Sequence, residues 1–154
     1  MPNDFKYTTN QASLEQIIHH LKECDLSFRV PLSERLFIAD YGEKLFNFSV
    51  RFEVWDEEEL SGLIAAYCND RATNVAYISH VGISNRYRNK GLGASLLKYS
   101  IESIKSLAFK TIKLEVDAQN TIALKIYAQA GFTVDKTNDE NKDNISLTLE
   151  LING

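Results

Sequence analysis

Cysteine is scarce: Cys24 and Cys68 are the only two in 154 residues. Two thiols without close spacing give neither a disulfide framework nor a metal motif. No metal site is expected, and a reducing compartment, the cytoplasm, is the expected location. Proline is scarcer than in most chains, with Pro2 and Pro31 alone, and there are seven glycines, so collagen-like and low-complexity architectures are excluded. No apolar run approaches the roughly 18 residues of a membrane-spanning helix. The opening MPNDFKYTTNQ has no basic region followed by an apolar stretch, so no signal peptide is expected. Positive charge is not in excess either. Lys and Arg number 17 against 21 Asp and Glu, a net charge of −4, which argues against a nucleic-acid or anionic-membrane partner.

What is present suits one soluble domain over residues 1–154: 44% hydrophobic and 25% charged residues. A chain of this length buries roughly 70% of its unfolded surface without covalent staples. Residues 5–8 read as a short strand. Ser13 and Gln16 have the spacing of a capping box, and Leu14, Ile17, Ile18 and Leu21 make one apolar helical face. Pro31 breaks the chain before a second helix expected over 34–46. Strand signals follow at 50–54, 60–68 and 75–83, the first two separated by the acidic turn Asp56-Glu57-Glu58-Glu59. The period then changes. A helix is expected over 91–108, a strand over 111–116, a helix over 121–130 closed by Gly131, and strands at 132–134 and 145–151 around a polar loop. This order predicts an α/β fold with a mixed, mostly antiparallel sheet, in which the helix over 91–108 makes the strands 75–83 and 111–116 parallel neighbours.

Between that strand and that helix lies Asn85-Arg86-Tyr87-Arg88-Asn89-Lys90-Gly91-Leu92-Gly93. A helix N-terminus leaves about four N–H groups without partners and carries roughly half a positive charge. Gly91 and Gly93 allow close approach to the backbone, and Arg88 and Lys90 add charge-assisted donors. A basic loop in an acidic chain suits a small anion, and this arrangement suits a pyrophosphate. Arg-x-x-Gly-x-Gly is short, and a glycine-rich helix start with solvated arginines reads the same way. It is not a P-loop, since Ala94-Ser95 stands where Lys-Ser/Thr is needed, and Leu96 stands where the dinucleotide fingerprint needs a third glycine.

Over about residues 50–132 the chain resembles the GCN5-related N-acetyltransferase (GNAT) superfamily. The resemblance rests on Val81-Gly82-Ile83, the loop Tyr87 to Gly93, Leu114-Glu115-Val116, Asn120, Ala123, Tyr127 and Gly131-Phe132 in order and spacing. It implies that family's fold: a central, mostly antiparallel sheet with a V-shaped splay between parallel strands 4 and 5, flanked by helices. It also implies acetyl-CoA as cosubstrate. Main-chain groups of Val81, Gly82 and Ile83 would pair with the pantetheine arm, and the amides of Arg88, Asn89, Lys90, Gly91, Leu92, Gly93 and Ala94 would wrap the pyrophosphate. Asn120 would touch the cofactor arm, and Tyr127 would act as general acid toward the thioester sulfur.

The Glu115, Asn120, Tyr127 spacing also occurs in the ribosomal-protein alanine N-acetyltransferases, where the glutamate is the base; a plain surface pairing with a lysine is the other reading of Glu115. The first half of the chain matches nothing in that subgroup, so peptide specificity does not carry over. The expected activity is transfer of an acetyl group to a primary amine, by direct attack. The acceptor is either a small molecule (amino sugar, polyamine or amino acid) or a protein N-terminus or lysine. A non-catalytic acyl-CoA-binding module would keep the loop but have no use for Tyr127 and Glu115. Small members of the family are often homodimers.

Other residues are weighed on spacing. Alternation along 75–83 places Tyr77, Ser79 and Val81 on one face and His80 on the other, which suits a buried, hydrogen-bonded His80. His19-His20 lacks a third ligand nearby. Cys68 ends a core strand and reads as a small hydrophobe. Tyr41, Phe46, Phe48 and Trp55 are candidates for an acceptor pocket, and also ordinary core. The acidic turn 56–59 either attracts a cationic acceptor or is a solvated hairpin.

Overall fold

The capping box at Ser13 is made in both directions: Gln16 N donates to Ser13 Oγ at 3.1 Å and Ser13 N to Gln16 Oε1 at 2.9 Å. It starts α1, Leu14–Cys24, which buries Ile17, His20, Leu21 and Cys24. The computed structural model describes residues 5–24, 37–135 and 143–151. Pro31 and residues 34–36, where the second helix was expected to begin, lie outside the described residues. α2 occupies Ile38–Phe48, ending two residues later than expected. Its end is set by Arg51, whose guanidinium donates to the carbonyls of Leu45, Phe46 and Ser49 at 2.9–3.3 Å. Helix-terminal carbonyls need such donors. A Cβ on Gly42 would come within 2.8 Å of Ile18 Cγ1, so this glycine lets α2 lie directly on α1.

The strands are β1 Lys6–Thr9, β2 Val50–Asp56, β3 Glu59–Asp70, β4 Val75–Ile83, β5 Thr111–Asp117, β6 Thr133–Val134 and β7 Asn144–Glu150. They form one sheet in the order β1-β2-β3-β4-β5-β7-β6. Every neighbour pair is antiparallel except β4 and β5. The crossover between those two is α3, Leu92–Ser106; α4 is Thr121–Gln129. The expected mixed sheet and its splay are both present. β4 and β5 pair from Val75 with Thr111 to Ile78 with Leu114, then separate, although β4 continues to Ile83 and β5 to Asp117.

Helices cover both faces. On one face Leu96 and Ile104 of α3 share a core with Phe52, Ile64, Ile78, Ile112 and Leu114 of the sheet; on the other Ile17 and Leu21 of α1 and Leu45 of α2 share one with Leu63 and Ala65 of β3. Each fully buried Leu or Ile contributes about 1.5–3 kcal/mol relative to exposure. The C-terminus of α4 closes as a Schellman motif. Phe132 N donates to Tyr127 O at 3.0 Å and Gly131 N to Ala128 O at 3.1 Å, with Gly131 at φ 105°.

One expectation is corrected. The β3–β4 register steps from Ala65 with His80 to Ala66 with Ile78, leaving Ser79 unpaired in a β-bulge. Alternation breaks there. His80 therefore shares a face with Tyr77, the α1–α2 face, rather than opposing it, and Val81 turns to the α3–α4 face.

Candidate active site

The bulge and the splay lie side by side on β4. Beyond Ile78 the edge of β4 that faces β5 carries no ladder bonds, so Val81 to Ile83 run along an open wedge. At the end of the strand Ser84 N donates to Ser61 O at 2.8 Å, and a 3-10 turn at Asn85–Tyr87 leads into the loop. Asn89 and Gly91 have positive φ, 64° and 77°, which turns the chain into α3. Gly91 is the N-cap of α3 and no side chain caps that helix end. The N–H groups of Leu92, Gly93 and Ala94, in the first turn of α3, lack intrahelical acceptors. A Cβ on Gly91 would meet nothing within 4 Å, so the space above the loop is open. Arg88 donates through Nε to Ile83 O at 3.2 Å, and Lys90 is exposed. Gly82 lies on the other side of β4, where a Cβ would come within 2.8 Å of His80 Nε2 and 3.1 Å of Cys24 Sγ.

Tyr127 enters the wedge from α4. With Val81, Gly93, Leu97, Ala123 and Ile126 it lines an apolar cavity of about 50 Å³. Phe132 packs edge-on against it at 5.6 Å between centroids, a contact made by the Schellman closure. Burial pushes the Tyr127 phenol up to about 12. Asn120 is the N-cap of α4: its Oδ1 accepts from Ala123 N at 3.1 Å, which leaves its amide N–H groups as donors.

Glu115 projects from β5 to the opposite face, since Leu114 and Val116 are the core residues of that strand. There it meets Tyr77, whose phenol is raised first by burial and then by the Glu115 charge. Glu115 has no salt-bridge partner among the described residues; Lys113, one step earlier on that face, pairs with Asp135 at 3.3 Å. Tyr67 stands opposite Tyr77 on β3, and Lys44 Nζ lies 5.6 Å above the Tyr67 ring. Tyr41 reaches across from α2 to Ser79, 2.7 Å from its Oγ and donating to its carbonyl at 3.1 Å. Tyr67 is the member of this tyrosine face that sequence reasoning missed; only its cross-strand partnership with Tyr77 reveals it.

The other candidates are placed elsewhere. His80 is buried, with Nε2 3.0 Å from His20 Nε2, and burial pushes its imidazole down to about 4. Cys68 is raised by burial to about 11, which keeps it a thiol. Trp55 donates to Thr8 Oγ1 at 2.7 Å, Phe46 lies against Arg51, and Phe48 is exposed, whereas Tyr41 reaches Ser79 on β4. A larger groove of about 600 Å³, lined by residues such as Glu15, His19 and Glu58, lies at the start of α1 and contains none of the wedge residues. Among the described residues no group of His, Cys, Asp and Glu side chains is placed to hold a metal ion, and no helix is long and apolar enough to cross a membrane.

This geometry matches known proteins. A model of the Acetyltransferase (GNAT) family fits residues 14–132. The ribosomal protein bS18-alanine N-acetyltransferase of Escherichia coli (strain K12) is 26% identical over 141 residues, which are 86% of this chain and 88% of that protein. The mycothiol acetyltransferase of Corynebacterium glutamicum (strain R) is 32% identical over 81 residues, 53% of this chain and 27% of that protein. Among solved structures, an acetyltransferase of Bacillus subtilis in complex with CoA superposes with a TM-score of 0.73 at 18% identity, covering 97% of this chain and 100% of that one. The family match spans most of the chain, the sheet parts where β4 and β5 diverge, and an uncapped helix end opens beside that gap. The chain belongs to the acetyltransferase (GNAT) family and is an acetyl-CoA-dependent N-acetyltransferase.

Proposed function

We propose that the protein acetylates a small primary amine by direct attack on acetyl-CoA, with Tyr127 and Glu115 acting from opposite faces of the wedge. The observation that carries this reading is the opening between β4 and β5 beyond Ile78 and Leu114, bracketed by Tyr127 on the α4 side and Glu115 on the other. The residues present suit acetyl-CoA. Main-chain groups of Val81 and the N–H of Ile83 are available to pair with an extended pantetheine arm, while the Ile83 carbonyl accepts from Arg88. The amides from Arg88 to Ala94 converge at the α3 N-terminus, where a pyrophosphate is stabilised by backbone donors and helix dipole. Asn120 has amide donors left for the same arm.

The chemistry then divides by face. Glu115 accepts a proton from the acceptor ammonium, directly or through water, which frees the nitrogen lone pair. Main-chain N–H near Val81 stabilises the charge that grows on the carbonyl oxygen. Tyr127, held in its protonated form, donates toward the sulfur as the carbon–sulfur bond breaks. Holding both partners in one cleft supplies a large part of the acceleration. Tyr67, Tyr77 and Glu115 offer rings and a carboxylate to an ammonium group. Tyr41, bridging α2 to Ser79, closes one side of that face and favours a compact acceptor.

A protein N-terminus is the second reading, supported by the match over 86% of this chain to the E. coli enzyme named for a ribosomal protein alanine. The deciding experiment measures acetyl-CoA binding by calorimetry and then CoA release with amino sugars, polyamines, amino acids and an alanine-initiated peptide. Faster turnover of a small amine, abolished in Glu115→Gln, is expected. Faster turnover of the peptide would transfer the assignment to the second reading. Absence of acetyl-CoA binding at millimolar concentration would remove the site assignment.

A further inference from the structure

The acidic turn between β2 and β3 faces neither the acceptor side nor bulk water alone. Tyr87, at the end of the 3-10 turn, is buried, and its hydroxyl donates to Asp56 Oδ2 at 2.7 Å. The same hydroxyl lies 3.2 Å from Glu59 Oε1, and Arg86 forms an ion pair with that carboxylate. Arg86 also lies over the Tyr87 ring at 5.2 Å, and Phe5 packs edge-on against it at 6.0 Å. Asp56 and Glu59 are adjacent partners in the β2–β3 ladder, so both carboxylates come from one rigid hairpin. Arg86, which precedes the anion-binding candidates Arg88 and Lys90 in the same basic loop, is thus committed to a carboxylate.

We infer that the hairpin residues Asp56 and Glu59 are positioning residues for the pyrophosphate loop, holding its base through Tyr87 and Arg86 so that the amides from Arg88 onward point at one place. This rests on the reading that this loop receives the pyrophosphate. The geometry gives the reason. Asn89 and Gly91 occupy left-handed backbone conformations, and no side chain caps α3. Preorganised amides need a fixed support, and a loop free at its base loses donors to averaging. The loop is held at one end by α3 and at the other by the 3-10 turn. Tyr87 is the side chain of that turn that is buried and hydrogen-bonded to a separate element.

The test compares two donors, acetyl-CoA and S-acetylpantetheine, which carries the same thioester but no pyrophosphate. Tyr87→Phe keeps the ring against Phe5 and removes the hydroxyl; Asp56→Ala removes the nearer of its two carboxylate acceptors. Each variant is expected to lose about 10-fold in kcat/KM for acetyl-CoA, the scale of one charge-assisted hydrogen bond. With S-acetylpantetheine kcat/KM stays as in the unmodified protein. The double variant falls no further than either single one, because both remove the same bond. If the unmodified protein prefers acetyl-CoA and the variants keep that preference, or lose activity equally with both donors, the anchoring role is overturned while the loop assignment stands. If the unmodified protein does not discriminate between the donors, the loop assignment itself fails and the anchoring role with it.

Discussion

Replacing Tyr127 by Phe removes one oxygen from the centre of the wedge and little else. The side chain is 6% exposed and packs against Phe132, Val81 and Leu97. The Phe ring keeps those contacts, so stability should change by less than about 1 kcal/mol. The effect on the reaction follows from acidity. Burial lifts the phenol to about 12, so it holds its proton throughout the neutral range. An ordinary thiol has a pKa of about 8.5, so complete transfer from such a phenol to a thiolate is uphill. In the proposed mechanism Tyr127 therefore acts by a strong hydrogen bond to the sulfur as charge builds there. That places its contribution at the low end of general-acid effects, about 10²-fold in kcat, or about 2.7 kcal/mol. The assay is thiol release at saturating acetyl-CoA and amine, beside calorimetry of CoA binding. A kcat within about threefold of the unmodified protein would refute the reasoning, because a general acid supplies at least ~10². A fall in kcat matched by an equal loss of CoA affinity would refute it too, since the hydroxyl would then be acting in binding. The unmodified enzyme should also show no descending limb in kcat between pH 7 and about 10 from this residue, with its phenol at about 12.

Three further outcomes are expected. Gly91→Asp adds a side chain into open space at φ 77°, at a backbone cost of about 1–2 kcal/mol that an acid near a helix N-terminus partly offsets; the protein should stay folded by circular dichroism while calorimetry shows acetyl-CoA affinity reduced by ~10-fold or more, as an added anion faces the pyrophosphate. Glu53→Ala should lower stability by about 3–5 kcal/mol in urea unfolding, because the buried Glu53 carboxylate accepts from Thr8 Oγ1 at 2.6 Å, Gln11 N at 2.9 Å and Ala12 N at 2.8 Å and lies 3.9 Å from Arg51 Nε. Stability should also fall as pH drops from about 6.5 to about 4: His80 and His20 are held neutral by burial, the unfolded chain takes up their protons first, and His80 with its pKa of about 4 accounts for about 3 kcal/mol of that loss. Urea midpoints at pH 7 and pH 4 that match, or a His80→Gln variant with an undiminished slope, would contradict it.

What the sequence disclosed is what short-range physics writes into it. Ser13 and Gln16 cap a helix three residues apart, and Gly131 closes another beside its own last turn, so both ends were readable. Glu115, Asn120 and Tyr127 keep a spacing that one strand, one turn and one helix translate directly into space. The loop from Arg88 to Gly93 was readable as a glycine-marked helix start for the same reason. Long-range partners were not. The last turn of α2 depends on Arg51 reaching back over it, and the role of the acidic hairpin depends on Tyr87, 31 residues from Asp56. Arg86 belongs by sequence to the basic loop, whereas its neighbour in space is Glu59. Tyr67 carries no local signal at all and enters through strand pairing alone.

The bulge at Ser79 is the clearest case of a long-range fact with local consequences, because it decides what each face of β4 can do. In a regular strand Ile78 and His80 would share a face, placing an imidazole in the apolar core beside Leu97 and Tyr127. An unpartnered polar group there costs about 1–3 kcal/mol. With one unpaired residue, His80 instead meets His20 from α1, and Val81 takes the place facing Tyr127. The same step frees Ser79 from the β3 ladder, so that its carbonyl and hydroxyl can receive Tyr41 from α2. It occurs where β4 begins to part from β5, and a bulge locally increases strand twist, which widens such a parting. One register shift therefore sorts β4 into a strip that packs against Tyr127 and a strip that carries Tyr77 and Ser79 beside Glu115. That sorting is what the proposed direct attack calls for: the donor reached from one side, the amine from the other, and the backbone of β4 between them.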